Sequence, residues 1–229
     1  MSLDFDSFVL AAATADLSEE PYAREHADCV EFRMDLADDP LTALASYSGE
    51  LPLIVTNRRE GEGGGTRAGG TSTDRRLGDL ARAAEFDSVG ALDIELVTLE
   101  SGTGTEIAAH ARDHETSVVV SVHDFEGTPE ADEMSEILKD ATEYGDVGKL
   151  AVTAEKPGDV LALLSVTYEL ANNGKRVATM AMGEAGRHSR AVAPVYGSRI
   201  GYAPVYPEHA TAPGQYDLAM LRELVERLR

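Results

Sequence analysis

Among its 229 residues the chain carries only four lysines, Lys139, Lys149, Lys156 and Lys175, against sixteen arginines. Lys149 stands apart because it lies inside an apolar run, DVGKLAV (146–152). A lysine within a buried strand is costly unless it pairs with an acid or loses its proton. Burial near arginines would lower its pKa and leave a neutral amine able to attack a carbonyl, which is Schiff-base chemistry. A strand-start lysine whose ammonium snorkels to solvent would give the same pattern. Imine chemistry also needs a group that moves a proton on the neighbouring carbon. His123, which ends the valine-rich run SVVVSVH (117–123), has the natural pKa for that task. A purely structural histidine at a strand end would look alike. Arg33, Arg58 and Arg190 could converge on a carboxylate, whose two oxygens match a guanidinium fork. Taken singly, each also fits a surface ion pair, and Arg67, Arg75 and Arg76 are expected at the surface.

Other candidate motifs are weaker. The stretch Gly61-Glu62-Gly63-Gly64-Gly65-Thr66-Arg67-Ala68-Gly69-Gly70 has no following Gly-Lys-Ser/Thr and no G-x-G-x-x-G turn, so it reads as a mobile lid rather than a phosphate cradle. Gly102 and Gly104 read as a turn that opens a helix. Histidines 26, 110, 114, 188 and 209 show no metal-ligand spacing; His110 and His114 are four apart without an evident third ligand, so no metal is expected.

These side chains need a scaffold, and the chain supplies a regular one. Eight short strand-like runs recur at 7–13, 28–34, 52–57, 90–96, 117–123, 146–152, 175–182 and 199–205. Helix signals fall between them, with Thr128-Pro129 opening a run to Tyr144, Pro157 a run to Asn172 and Asp217 a run to Arg229. Eightfold alternation predicts a compact (β/α)8 TIM barrel, one catalytic domain over 1–229 with no linker-like tract. On such a barrel Glu31, Arg33, Arg58, Glu95 and His123 all fall at C-terminal strand ends, the face where active sites form.

Composition narrows the partners. With 41 acidic and 20 basic residues the formal charge is −21, and such a surface repels both a phosphate backbone and an anionic membrane. Neither nucleic acid nor membrane is therefore expected as a partner. The N-terminal MSLDFDSFVLAAATADLSEE is too short in its apolar stretch for a signal peptide or a spanning helix, so a cytoplasmic location is expected. The lone Cys29 can form no intrachain disulfide. Many acids with few lysines suggest a high-salt cytoplasm, where screening shortens self-repulsion to roughly 3 Å at about 1 M salt. An ordinary acidic enzyme is the alternative, and stability undiminished at low KCl would favour it.

The chain resembles type I 3-dehydroquinate dehydratase over nearly its full length. The segments that carry the likeness, in order, are Glu31-Phe32-Arg33-Met34-Asp35, Thr56-Asn57-Arg58 with Glu62-Gly63-Gly64, Asp93-Ile94-Glu95-Leu96 and Ser121-Val122-His123-Asp124-Phe125. They continue with Thr128-Pro129, Lys149-Leu150-Ala151, Met180-Ala181-Met182-Gly183, Ser189-Arg190, Gly197-Ser198 and Ala212-Pro213-Gly214-Gln215. The resemblance implies dehydration of 3-dehydroquinate, a small anionic substrate, to 3-dehydroshikimate in the shikimate pathway of aromatic amino-acid biosynthesis. It implies no metal or organic cofactor, and a homodimer. Lys149 takes the imine-forming position, His123 the general acid/base position, and Glu62 that of an acid beside the histidine. Glu31, Arg33, Arg58, Arg190 and Gln215 match the substrate-binding set, with Arg190 on the carboxylate and the others on ring hydroxyls. Met180 and Met182 match the apolar floor under the ring.

Some positions depart from the family pattern. Thr211 stands where serine is common, retaining a hydroxyl for substrate. Strand one ends in alanines instead of a polar residue, and Glu60 competes with Glu62 for the acidic position. The N-terminal hairpin that closes the barrel floor in longer relatives is missing, which leaves the floor to another cover. A Schiff-base-forming aldolase-type barrel and a catalytically silent binding barrel remain alternatives; no phosphate-binding loop follows strands seven and eight to favour the first.

Overall fold

The computed structural model describes residues 3–65, 72–210 and 212–229. Its eight strands are β1 (Val9–Thr14), β2 (Cys29–Arg33), β3 (Leu53–Thr56), β4 (Val89–Glu95), β5 (Ser117–His123), β6 (Val147–Thr153), β7 (Val177–Met182) and β8 (Ile200–Pro204). The helices are α1 (Glu20–Ala23), α2 (Pro40–Ser46), α3 (Thr73–Ala83), α4 (Leu96–Glu100) and α5 (Thr105–Asp113), then α6 (Ala131–Tyr144), α7 (Pro157–Asn172), α8 (Gly183–Gly186), α9 (Ser189–Val192) and α10 (Leu218–Leu228). All ladder pairings are parallel, in the order β7-β6-β5-β4-β3-β2-β1-β8, so the sheet curls into a nearly closed (β/α)8 barrel.

The β7–β8 seam closes differently from the other seven. A single bridge joins Val177 to Ser198, beside the Arg199 N–H to Val177 carbonyl bond at 2.8 Å. Above it, side chains replace a ladder: Ser198 Oγ accepts the Thr179 N–H at 3.0 Å and Ser189 Oγ accepts the Ala181 N–H at 2.8 Å. These hydroxyls satisfy strand groups that would otherwise be buried without partners.

Two cores follow from the period-two alternation of the strands. Outward residues such as Leu10, Phe32, Val55, Leu92 and Val120 pack under the helices, whereas Val9, Ala11, Cys29, Ile54, Ala91, Val119, Val147, Ala178 and Ile200 fill the barrel interior. The floor is covered by the segment before β1. Phe5 is 4% exposed and joins the interior cluster, with Leu3 packed on it. Asp6 ties that segment down, pairing with Arg176 at 2.6 Å and accepting a bond from Arg199 on its carbonyl. Among the described residues no strand precedes β1, and no helix is long and apolar enough to cross a membrane.

Candidate active site

Continuing each alternation toward the C-terminal face brings polar side chains inward: Glu31 and Arg33 on β2, Thr56 on β3, Asp93 and Glu95 on β4, Ser121 and His123 on β5, and Lys149 on β6. All but His123 are buried. Strand register decides which of them meet. Thr56 lies beside Asp93, Glu95 beside Ser121, and Ser121 beside Lys149.

Asp93 is the hub. Its Oδ2 accepts from Lys149 Nζ at 2.9 Å, and its Oδ1 accepts from Ser121 Oγ at 2.6 Å and pairs with Arg58 at 2.8 Å. Burial alone would raise the Asp93 pKa, but Arg58 and Lys149 outweigh it and hold the carboxyl well below the usual carboxylate range. Lys149 Nζ also sits 4.3 Å from the centroid of the Tyr202 ring, so the nitrogen lies between a carboxylate and a π-face. The small inward residue Ala11 of β1 lies opposite Tyr202 in the register and shares the interior cluster with it. Among the described residues the buried Tyr202 hydroxyl has no hydrogen-bond partner.

Glu62 stands in a short 3-10 turn, Glu60–Glu62, and its Oε2 lies 3.0 Å from His123 Nδ1, whereas Glu60 is exposed. The glycines that follow explain how the turn lies so close. A Cβ on Gly64 would stand 2.2 Å from the Arg58 carbonyl oxygen, and one on Gly63, at φ 79°, would stand 2.7 Å from the Phe125 ring. This part of the predicted lid is pinned: Arg33 donates to the Gly63 carbonyl at 3.3 Å, and Asp35 accepts the Gly65 N–H at 3.0 Å. The remainder of that lid, including Arg67, lies outside the described residues. Burial, reinforced by Glu95 and Asp93, raises Glu62 to about 7 against the opposing Arg58. Burial with the charges of Arg58 and Lys149 pushes His123 well below its ordinary value. The histidine is therefore neutral at pH 7, the form that can accept a proton.

The three arginines read as able to converge on a carboxylate all line one cleft, but their protein partners differ. Arg33 forms a two-pronged pair with Asp35 at 2.9 and 2.7 Å, and Arg58 is held by Asp93, Ser121 and Glu95. Arg190, 4% exposed, faces no carboxylate among the described residues; its Nη2 donates to the Pro213 carbonyl at 3.3 Å and its buried Nε has no acceptor. Burial lowers its pKa to about 10, which leaves it charged at neutral pH. The pocket is thus not simply cationic, since Glu31, Glu62, Asp93 and Glu95 stand among its arginines. Arg76 is a further correction: it is buried, donating to the Asn57 carbonyl at 2.6 Å and pairing with Glu95 at 3.1 Å, because α3 turns it inward. Arg75 is exposed.

One cleft collects these groups, lined by Glu31, Arg33, Arg58, Glu62, His123 and Lys149, with Met180, Met182, Arg190 and Gln215 completing the predicted set. Thr211 lies outside the described residues. Phe125, Tyr202 and Ala212 line the same cleft without having been singled out as site residues. The family model for type I 3-dehydroquinase matches residues 8–228. The chain belongs to the type I 3-dehydroquinase family.

Relatives agree along the whole length. The chain is 56% identical to the 3-dehydroquinate dehydratase of Haloarcula marismortui, with 99% of each chain covered, and 50% identical to that of Halobacterium salinarum, covering 99% of this chain and all of the other. Both organisms are halophilic archaea. Among solved structures, 3-dehydroquinate dehydratase from Geobacillus kaustophilus superposes with a TM-score of 0.85 at 26% identity, covering 97% of this chain and 91% of that one. The type I enzyme from Clostridium difficile, solved with covalent modified comenic acid, gives 0.85 at 25% identity, covering 97% and 92%.

Proposed function

We propose that this member of the type I 3-dehydroquinase family dehydrates 3-dehydroquinate to 3-dehydroshikimate through an imine on Lys149, within one catalytic domain. The observation that carries this reading is the convergence of the Lys149 amine and a neutral His123 on one cleft. The Lys149 nitrogen attacks the substrate carbonyl carbon, and loss of water from the adduct leaves an iminium. Asp93 orients the amine but binds a proton too weakly to serve as the base. His123 takes the proton from C2, and the electron pair moves into the iminium to give an enamine. Collapse of the enamine expels the β-hydroxyl, which leaves as water with the proton that His123 returns. Hydrolysis of the iminium then frees Lys149 and the conjugated product.

Glu62 supports this cycle by accepting Nδ1–H of His123, which leaves the Nε2 lone pair for the substrate. Arg190 binds the substrate carboxylate through a guanidinium that pairs with no acid among the described residues. Glu31, Arg33, Arg58 and Gln215 contact ring hydroxyls, Thr211 belongs to the same substrate-binding set, and Met180 and Met182 form the apolar floor. The acidic surface and the haloarchaeal relatives support function at high salt in a cytoplasm, and the family likeness supports a homodimer. An ultraviolet assay tests the activity: 3-dehydroquinate should yield the absorbance of the conjugated enone. Carbon–carbon cleavage, or substrate left unchanged, would contradict the reading.

A further inference from the structure

Arg187 has an unusual setting in so acidic a chain. Among the described residues it forms no ion pair, and its buried Nε has no hydrogen-bond acceptor. Its guanidinium instead lies 4.2 Å from the centroid of the Tyr216 ring. Arg187 closes α8 and its carbonyl accepts the N–H of Arg190, so both arginines spring from one short segment. Tyr216 joins Gln215, which lines the cleft, to Asp217, whose side chain caps α10 by accepting the Met220 N–H at 2.9 Å.

The rest of the loop is fitted to that same segment. Gly214, at φ 76°, passes so close to Gly183 that a Cβ would stand 2.6 Å from the Gly183 carbonyl oxygen. Arg190 donates to Pro213. The loop therefore touches the β7–α9 connection at three places: backbone on backbone at Gly214, Arg190 on the cleft side, and Arg187 under Tyr216. Of the two arginine contacts, the Arg187 one uses a side chain with no part in the proposed chemistry.

We infer that Arg187 is a positioning residue that holds Gln215 over the cleft by stacking on Tyr216. This rests on the assignment of Gln215 to substrate binding. A cation on a ring face suits a high-salt setting, because close, desolvated contact is screened less than an exposed ion pair. The contact is also independent of the substrate carboxylate, so the loop is preset before Arg190 is occupied. Removing it should loosen substrate binding while leaving the imine and proton-transfer groups in place.

The test is a double-mutant cycle on steady-state kinetics of the full chain. Arg187→Ala is expected to raise KM about fivefold to tenfold, the range of a partly desolvated cation–π contact, with kcat within about twofold. Tyr216→Phe should behave as the parent because the ring remains, and Tyr216→Leu should reproduce Arg187→Ala. In the Gln215→Ala background, which itself has raised KM, Arg187→Ala should add little, since both act through one side chain. A raised KM in Gln215→Ala with normal KM in Arg187→Ala and Tyr216→Leu, or fully additive effects, would overturn the positioning role. A normal KM in Gln215→Ala would instead overturn the assignment of Gln215 on which it rests.

Discussion

The lower and upper halves of the barrel interior obey one alternation of side chains and have opposite chemistry. Below, Val9, Cys29, Ile54, Val119, Val147 and Ile200 meet as an aliphatic plug capped by Phe5. Above, two residues on from Ala91, Val119 and Val147 along their strands, Asp93, Ser121 and Lys149 form a buried polar network, with Glu31, two on from Cys29, bonded to Thr56 beside it. The lower half gains free energy from burying apolar surface. The upper half keeps charged groups out of water and is tolerable only because nearly every one is paired. Arg190 is an exception among the described residues: it faces no carboxylate, and its guanidinium donates to the Pro213 carbonyl while its buried Nε has no acceptor.

The contrast can be broken first at the chemistry. His123→Ala should lower kcat by about 10²–10⁴-fold while leaving the barrel folded; retained turnover would remove its acid–base role. Asp93→Ala should be costly for stability, about 3–5 kcal/mol in a denaturant titration, because Lys149 and Arg58 would remain buried without their shared acid. The parent's contribution from Asp93 has a definite pH sign. Its folded pKa lies below the unfolded value of about 3.9, so the stabilisation is complete above that pH and is lost as pH falls toward the folded value.

A smaller effect separates the two coupled groups at the rim. With Glu62 raised to about 7, kcat/KM should fall as pH drops through 7, because the protonated carboxyl no longer favours the Nδ1–H tautomer of His123. Glu62→Gln should move that fall to lower pH, and an unchanged profile would dissociate Glu62 from it. The smallest effect belongs to the lower half: Ile54→Val should cost about 0.5–1.5 kcal/mol of stability and leave kcat within about twofold. A large loss of activity there would show that the two halves are not separable.

Most of the scaffold was legible from the chain. The run 117–123 coincides with β5, and the helix opened by Pro157 runs to Asn172 as expected, because periodicity and a proline at the first turn are local signals. Lys149 and His123 were visible because each interrupts or ends an apolar strand. Their partners were not. Asp93 and Ser121 lie in recognisable segments, but only the register between β4, β5 and β6 shows that Asp93 touches Lys149, Arg58 and Ser121 together. Arg76 eluded the sequence for a related reason, since an arginine on an amphipathic helix reads as solvent-facing until Glu95 is found opposite it. Alternation in ALDIEL puts Asp93 on the same face as Glu95, a signal that could have found the hub.

The central claim is that Lys149 forms the imine. Borohydride reduction of the enzyme in the presence of 3-dehydroquinate, followed by peptide mass analysis, tests it most directly. The account predicts a stable ligand adduct on the peptide that contains Lys149, persisting in His123→Ala and absent from Lys149→Ala. An adduct on Lys139, Lys156 or Lys175, or turnover by Lys149→Ala, would contradict it.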